Sequence, residues 1–169
     1  MSYFRENRGV GQEGNAPKSG NFGSGRFTPK KPIRSFRDLE VYQKSLECSV
    51  LVSSDVVPRA ENLGYKHTEK MLDCALSVPL LVAEAHSLRF ADFALALGYL
   101  EKAMSSCNKQ IVYLDHVKGL YGTKVNPDLI EDIAGRYILV RLKMFRLERS
   151  WRKFMDGDKP DEPIGVDKK

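Results

Sequence analysis

The sequence predicts an all-α protein: an up-down-up-down four-helix bundle with a disordered N-terminal arm and a short acidic C-terminal tail. Three observations carry this. Apolar residues recur in steps of three and four over four separate stretches. No stretch shows the two-residue alternation of a half-buried strand. Capping residues, glycines and prolines punctuate the intervals between the periodic stretches. At 169 residues and 42% hydrophobic content the chain holds material for one domain, with a core that needs no cross-link.

Residues 1–34 are rich in Gly, Asn, Ser and Pro and lack any apolar period, so they predict a disordered arm. Order is expected from residue 35 to 155. Ser35 with Asp38 makes a variant capping box, and a first helix follows with apolar positions Leu39, Tyr42, Leu46, Val50 and Val57. Pro58 is expected to close it, because the residue before a proline is pushed out of the helical region. A second helix, from about Tyr65 to about Ser87, presents Met71, Cys74, Ala75, Val78, Val82 and Ala85 on one side. Pro79 inside it predicts a kink rather than a stop.

The third helix has the cleanest seam: Phe93, Leu97, Leu100, Met104, Cys107, Ile111 and Leu114, with Gly119 and Gly122 expected at its end. Asn126 caps the fourth, Pro127 takes its first position, and Asp128, Glu131 and Asp132 complement the positive end of its dipole. Its core stripe reads Ile133, Tyr137, Val140, Met144, Leu147, Trp151 and Phe154. Residues 156–169 predict a disordered acidic tail.

Charge is unevenly spread. Of the net +5, residues 1–34 carry seven Lys or Arg against two Glu, residues 35–155 carry seventeen against fifteen acids, and the tail carries three against five. Between Arg136 and Lys153 seven basic residues face one acid, Glu148. At 100° per residue Lys143, Arg146, Arg149 and Lys153 fall opposite the core stripe, flanked by Arg141 and Arg152. Like charges on neighbouring turns repel by a few tenths of a kcal/mol, roughly 0.2–0.5 per pair, which an anionic partner relieves. The cluster is too dispersed and too poor in Asn or Gln for base reading in a duplex groove, so phosphate contact is expected. In the arm, Arg26, Lys30, Lys31 and Arg34 would act as a flexible clamp. Two expectations stand for Tyr3, Phe4, Phe22 and Phe27 among its arginines: stacking on unpaired bases, or a solvated linker with no ligand.

The stretch V-A-E-A-H-S-L-R-F-A-D-F, residues 82–93, concentrates Glu84, His86, Ser87, Arg89 and Asp92. It falls at a corner between two helices, where Glu84 and Asp92 are expected to pair with Arg89; bundle corners seldom hold a catalytic pocket. His67, His86 and His116 lie on separate parts of the chain, with no Glu-x-x-His pairs and no phosphate-cradling glycine loop. The expectation is no enzyme, no metal and no cofactor. Cys48, Cys74 and Cys107 lack C-x-x-C spacing and sit in apolar helical patterns, predicting reduced buried thiols. No apolar leader run occurs in the first thirty residues and the most apolar segment, from Cys74 to Ala83, is short for a bilayer span, so a cytoplasmic protein away from membranes is expected.

Two segments, S-F-R-D-L-E-V-Y-Q-K-S (residues 35–45) and A-L-S-V-P-L-L-V-A-E-A (residues 75–85), carry a family resemblance. The chain resembles the bacterial four-helix bundle proteins named after the intervening sequences of 23S ribosomal RNA. Read on through E-A-H-S-L-R, it is also similar to the accessory variability determinant of diversity-generating retroelements. Phe36, Asp38, Leu39, Val41, Tyr42 and Lys44 match the first signature, and Val78, Pro79, Val82, Ala83 and Glu84 the second. Leu81, Ala85, Ala103 and Ser106 stand where the first family has Asn, Gly, Ser and Glu. The resemblance spans about residues 35–155. It implies a non-enzymatic homo-oligomer, pentameric in the retroelement branch, whose basic surface engages RNA or DNA and a reverse transcriptase. The alternative expectation is a protein-interaction adaptor with no direct nucleic-acid role.

Overall fold

The computed structural model of the chain describes residues 33–157. Arg26, Lys30, Lys31 and the rest of the arm before Ile33, with the acidic tail after Gly157, lie outside the described residues. Among those described there is no strand. The helices are α1 (Glu40–Leu51), α2 (Val57–Asn62), α3 (Thr68–Leu88), α4 (Phe93–Tyr121) and α5 (Pro127–Gly157). α3 packs on α4, α4 on α5, and α1 on both α3 and α5, around one apolar core.

The caps form much as their sequences dictate. Asn126 Oδ1 accepts the Leu129 N–H at 3.1 Å to start α5, and Asp92 Oδ1 accepts that of Leu95 at 2.9 Å to start α4. Ser35 Oγ accepts the Arg37 N–H at 3.2 Å while Asp38 Oδ2 accepts that of Ser35 at 2.9 Å. This box begins a 3₁₀ turn, Phe36–Asp38, rather than α1 itself, which starts after Leu39. Gly122 ends α4 with φ +54°, a conformation that a Cβ would strain. Gly119 is an ordinary helical position inside α4, not its end.

Pro58 does not close the first helix. The turn Val52–Val56 is π-helical, with the Val57 N–H bonded back to the Val52 carbonyl, and helical backbone continues through Pro58 to Asn62. A wider turn accommodates the proline ring at the start of the next helix, where its missing N–H costs little. Serine hydroxyls occupy carbonyls nearby: Ser53 Oγ donates to Ser49 O at 2.8 Å and Ser54 Oγ to Val50 O at 2.9 Å. The stretch after Pro58, expected to lie past the helix end, is therefore helical as far as Asn62. Tyr65, expected to open the second helix, is instead a buried loop residue ahead of α3.

Most of the predicted seams are buried. Met71, Ala75, Val78, Val82 and Ala85 of α3 line the core, as do Leu97, Leu100, Cys107 and Leu114 of α4 and Ile133, Tyr137, Val140 and Met144 of α5. α3 runs unbroken through Pro79. At 21 residues it is long and apolar enough to cross a bilayer by length and composition, and here its apolar stripe turns onto α1 and α4. The first helix corrects the expected register. Leu46 and Val50 are 38% and 55% exposed, while Val41, Ser45, Cys48, Ser49 and Val52 are buried. The serines are tolerated inside because Ser45 Oγ donates to Tyr42 O and Ser49 Oγ to Leu46 O, each at 2.9 Å.

Phe154 is the second correction: placed in the core stripe by its spacing, it is 64% exposed. Lys143 Nζ meets Glu40 Oε1 at 2.7 Å, and Glu40 is the first residue of α1. α5 then runs roughly four more turns, to Gly157, with no α1 beside it. A side chain on that flank keeps its helical period and loses its cover.

Candidate nucleic-acid interface

The basic residues of α5 fall into two groups. Three have carboxylate partners inside the fold, among them Arg136, whose Nε meets Asp132 Oδ2 at 2.8 Å within α5. Lys143 pairs with Glu40, whose carboxyl is held below its usual range chiefly by that hydrogen bond. Arg152 is held by Glu148, through Nη2 at 2.7 Å and Nε at 3.1 Å, and reaches Glu101 of α4 at 4.0 Å. Glu148 is buried, so this arginine offsets a carboxylate that would otherwise lack compensation.

The second group is open. Arg141, Arg146, Arg149 and Lys153 are exposed and have no carboxylate within ion-pair reach among the described residues. Arg146, Arg149 and Lys153, with Ser150 between them, line one shallow depression of about 350 Å³. Their spacing of three, one and three puts three cations and a hydroxyl donor on two adjacent turns, with solvent as their counterion. Arg141 is separate, close enough to Cys107 to favour its thiolate slightly. Arg34 is exposed ahead of the first 3₁₀ turn, its backbone N–H donated to Asp38 Oδ2 at 3.0 Å.

The same outer face has an apolar half that the charge pattern concealed. Ile138, Leu139, Leu142 and Phe145 are all at least 43% exposed, immediately before the basic depression. The outer side of α5 thus changes from apolar to cationic near Phe145.

The corner at residues 82–93 is not organised as the sequence suggested. Arg89 makes no ion pair with Glu84 or Asp92 among the described residues. Its Nη1 donates to the His86 carbonyl, closing the end of α3, and its guanidinium lies 4.2 Å from the Phe90 ring centre. Asp92 is used as the α4 cap. His86 is buried, and burial, followed by the nearby Arg89, pushes its pKa below the usual value. Ser87 Oγ donates to Ala83 O at 2.9 Å. These groups do structural work and do not converge as acid, base and nucleophile.

The corner does reach the end of α5. Arg89, Phe90, Phe93, Trp151, Phe154 and Met155 enclose a second depression of about 220 Å³, and Ser150 lines both depressions. Sequence spacing gave no sign of this meeting, since its two halves are sixty residues apart and both aromatics on α5 fit a core stripe.

Two of the histidines also come together. His67 and His116 ring centres lie 6.3 Å apart, and Tyr65, whose hydroxyl is hydrogen-bonded to His116 Nδ1 at 3.0 Å, packs edge-on to both. No three His, Cys, Asp or Glu residues converge as metal ligands among the described residues. The cysteines are free thiols; burial pushes the pKa of Cys48 up to about 11 and of Cys107 up to about 12, and raises that of Cys74. No protein-family model, curated protein or solved structure matches the chain.

Proposed function

We propose that the chain is a non-enzymatic, homo-oligomeric accessory protein, an up-down-up-down four-helix bundle that binds RNA or DNA by contacting phosphates from the end of α5. One observation carries this reading: Arg146, Arg149 and Lys153 share a depression with Ser150 and have no carboxylate partner among the described residues. Surplus cations at that density favour a polyanion, whose binding releases condensed counterions. The resemblance to the intervening-sequence bundle proteins and to the retroelement accessory determinant supports the same reading and adds a reverse transcriptase as partner. Arg26, Lys30, Lys31 and Arg34 would extend the phosphate contacts along the arm.

The exposed apolar half of α5 and the uncovered Leu46 and Val50 of α1 support self-association. They equally favour the second reading, an adaptor that docks another protein through apolar contact. Filter binding of a labelled RNA at 50 and 200 mM salt tests between them. A phosphate binder retains RNA at the lower salt and loses it steeply at the higher; an adaptor retains little at either, and that outcome rejects the nucleic-acid function.

A further inference from the structure

Beside the basic depression stands a second feature that phosphate binding does not require. Phe90 is 73% exposed and Phe154 64%, both at the rim of the depression that contains Trp151. Among the described residues nothing covers these two large rings beside a half-buried indole, and Phe154 stands about three turns beyond Lys143, where α1 begins. Arg89 stacks on Phe90 and extends its planar surface with a delocalised cation. Ser150 is common to this aromatic depression and to the one formed by Arg146, Arg149 and Lys153, so the two are contiguous.

We propose that this aromatic depression receives an unpaired nucleobase, stacked against Phe90, Trp151 and Phe154, while the adjoining cations hold the phosphates on either side of it. The inference rests on the phosphate-binding reading above and specifies its substrate class: single-stranded nucleic acid or the unpaired segment of a folded one. A ring surface paired with a cationic rail is the combination that single-strand binders use, since every base has a face to stack whereas duplex bases are already stacked on one another. Charge complementarity selects this occupant over a purely apolar one. Arg89 lines the aromatic depression and Arg149 and Lys153 the adjoining one, and no carboxylate among the described residues lines either.

The chain reports on the site itself, because Trp151 is its one tryptophan. The full chain is titrated at low salt with three probes of equal phosphate count: a single-stranded oligothymidylate, the same backbone made abasic, and a duplex. Binding is followed by probe anisotropy and by Trp151 emission. The expected result is quenching of Trp151 by the base-bearing strand alone and about five-fold or more tighter binding of it than of the abasic strand. Phe90→Ala with Phe154→Ala should remove that preference while leaving affinity for the abasic strand intact. Both residues are exposed, so the variant keeps its helical content by circular dichroism.

Equal affinity for base-bearing and abasic strands, with unquenched Trp151, overturns the stacking inference and leaves phosphate binding standing. Absence of binding to all three probes rejects both. Trp151 emission that responds to protein concentration but not to any probe identifies the depression as a contact between copies, which also overturns the inference.

Discussion

If the ion pairs sort the α5 cations correctly, removing the open group and removing the paired group should have different consequences. Consider Arg146→Ala, Arg149→Ala and Lys153→Ala together, against Lys143→Ala with Arg152→Ala. Each neutralised phosphate contributes about 0.7 to the slope of log affinity against log salt for a single strand, so three contacts contribute a slope of about two. Over a fourfold change in salt, that is a loss of about twentyfold in affinity from these side chains alone. The triple variant should therefore flatten the slope by about two and weaken binding most at low salt, with unchanged thermal stability. The double variant should leave the slope nearly unaltered. Its effect should fall on stability, because Arg152→Ala strands the buried Glu148 carboxylate and Lys143→Ala removes the tie between α5 and the start of α1. Fluorescence anisotropy of a labelled RNA at four salt concentrations and urea unfolding of each variant measure both quantities. Equal flattening by the two variants would refute the sorting, since it would mean that Glu40 and Glu148 do not withhold their partners from phosphate.

Two further outcomes follow from the buried titratable groups. Because the folded pKa of His86 lies below the ordinary 6.5, the unfolded chain binds more protons at mildly acid pH, and stability should fall as pH drops from 7.5 through 6.5 towards 5.5; urea unfolding of His86→Gln should lack that part of the slope, and an unchanged slope would remove His86 as its source. With folded thiol pKa values of about 11 for Cys48 and about 12 for Cys107, both should resist a thiol reagent at pH 8. The half-buried Cys74 should react first and all three together in denaturant; rapid labelling of Cys107 in the native protein would show that the core opens locally.

The sequence disclosed the helices wherever one residue had one job. Asn126 before Pro127, and the long seam from Leu97 to Leu114, read directly because cap chemistry and a wide apolar stripe leave few alternatives. The register of α1 was illegible for a physical reason. Its core face is made of Val41, Ser45, Cys48 and Ser49, the two serine hydroxyls being satisfied by their own helix, while the more apolar Leu46 and Val50 face out. Hydropathy alone assigns those faces the wrong way round. Pro58 misled similarly, since the rule that proline ends a helix presumes that the preceding turn is α-helical. At the candidate interface, the cationic half of α5 was visible as a charge imbalance. The Glu148–Arg152 pair has the i, i+4 spacing of a local helical ion pair, but that Lys143 was already paired was not visible, because Glu40 comes from a distant stretch. Nor was the aromatic depression, which depends on where a neighbouring helix stops.

The wide turn at Val52–Val56 has a consequence for how this chain tolerates change. An α-helix advances about 100° per residue, so successive apolar steps of four, as from Cys48 through Val52 and Val56 to Ala60, would drift steadily off the core. One broad turn absorbs that drift and returns Ala60 to full burial. The first rod thereby contains a phase adjuster. Deleting one residue there swaps a broad turn for a regular one while the other three rods keep their places, whereas the same deletion inside α4 would rotate an entire seam away from its neighbours.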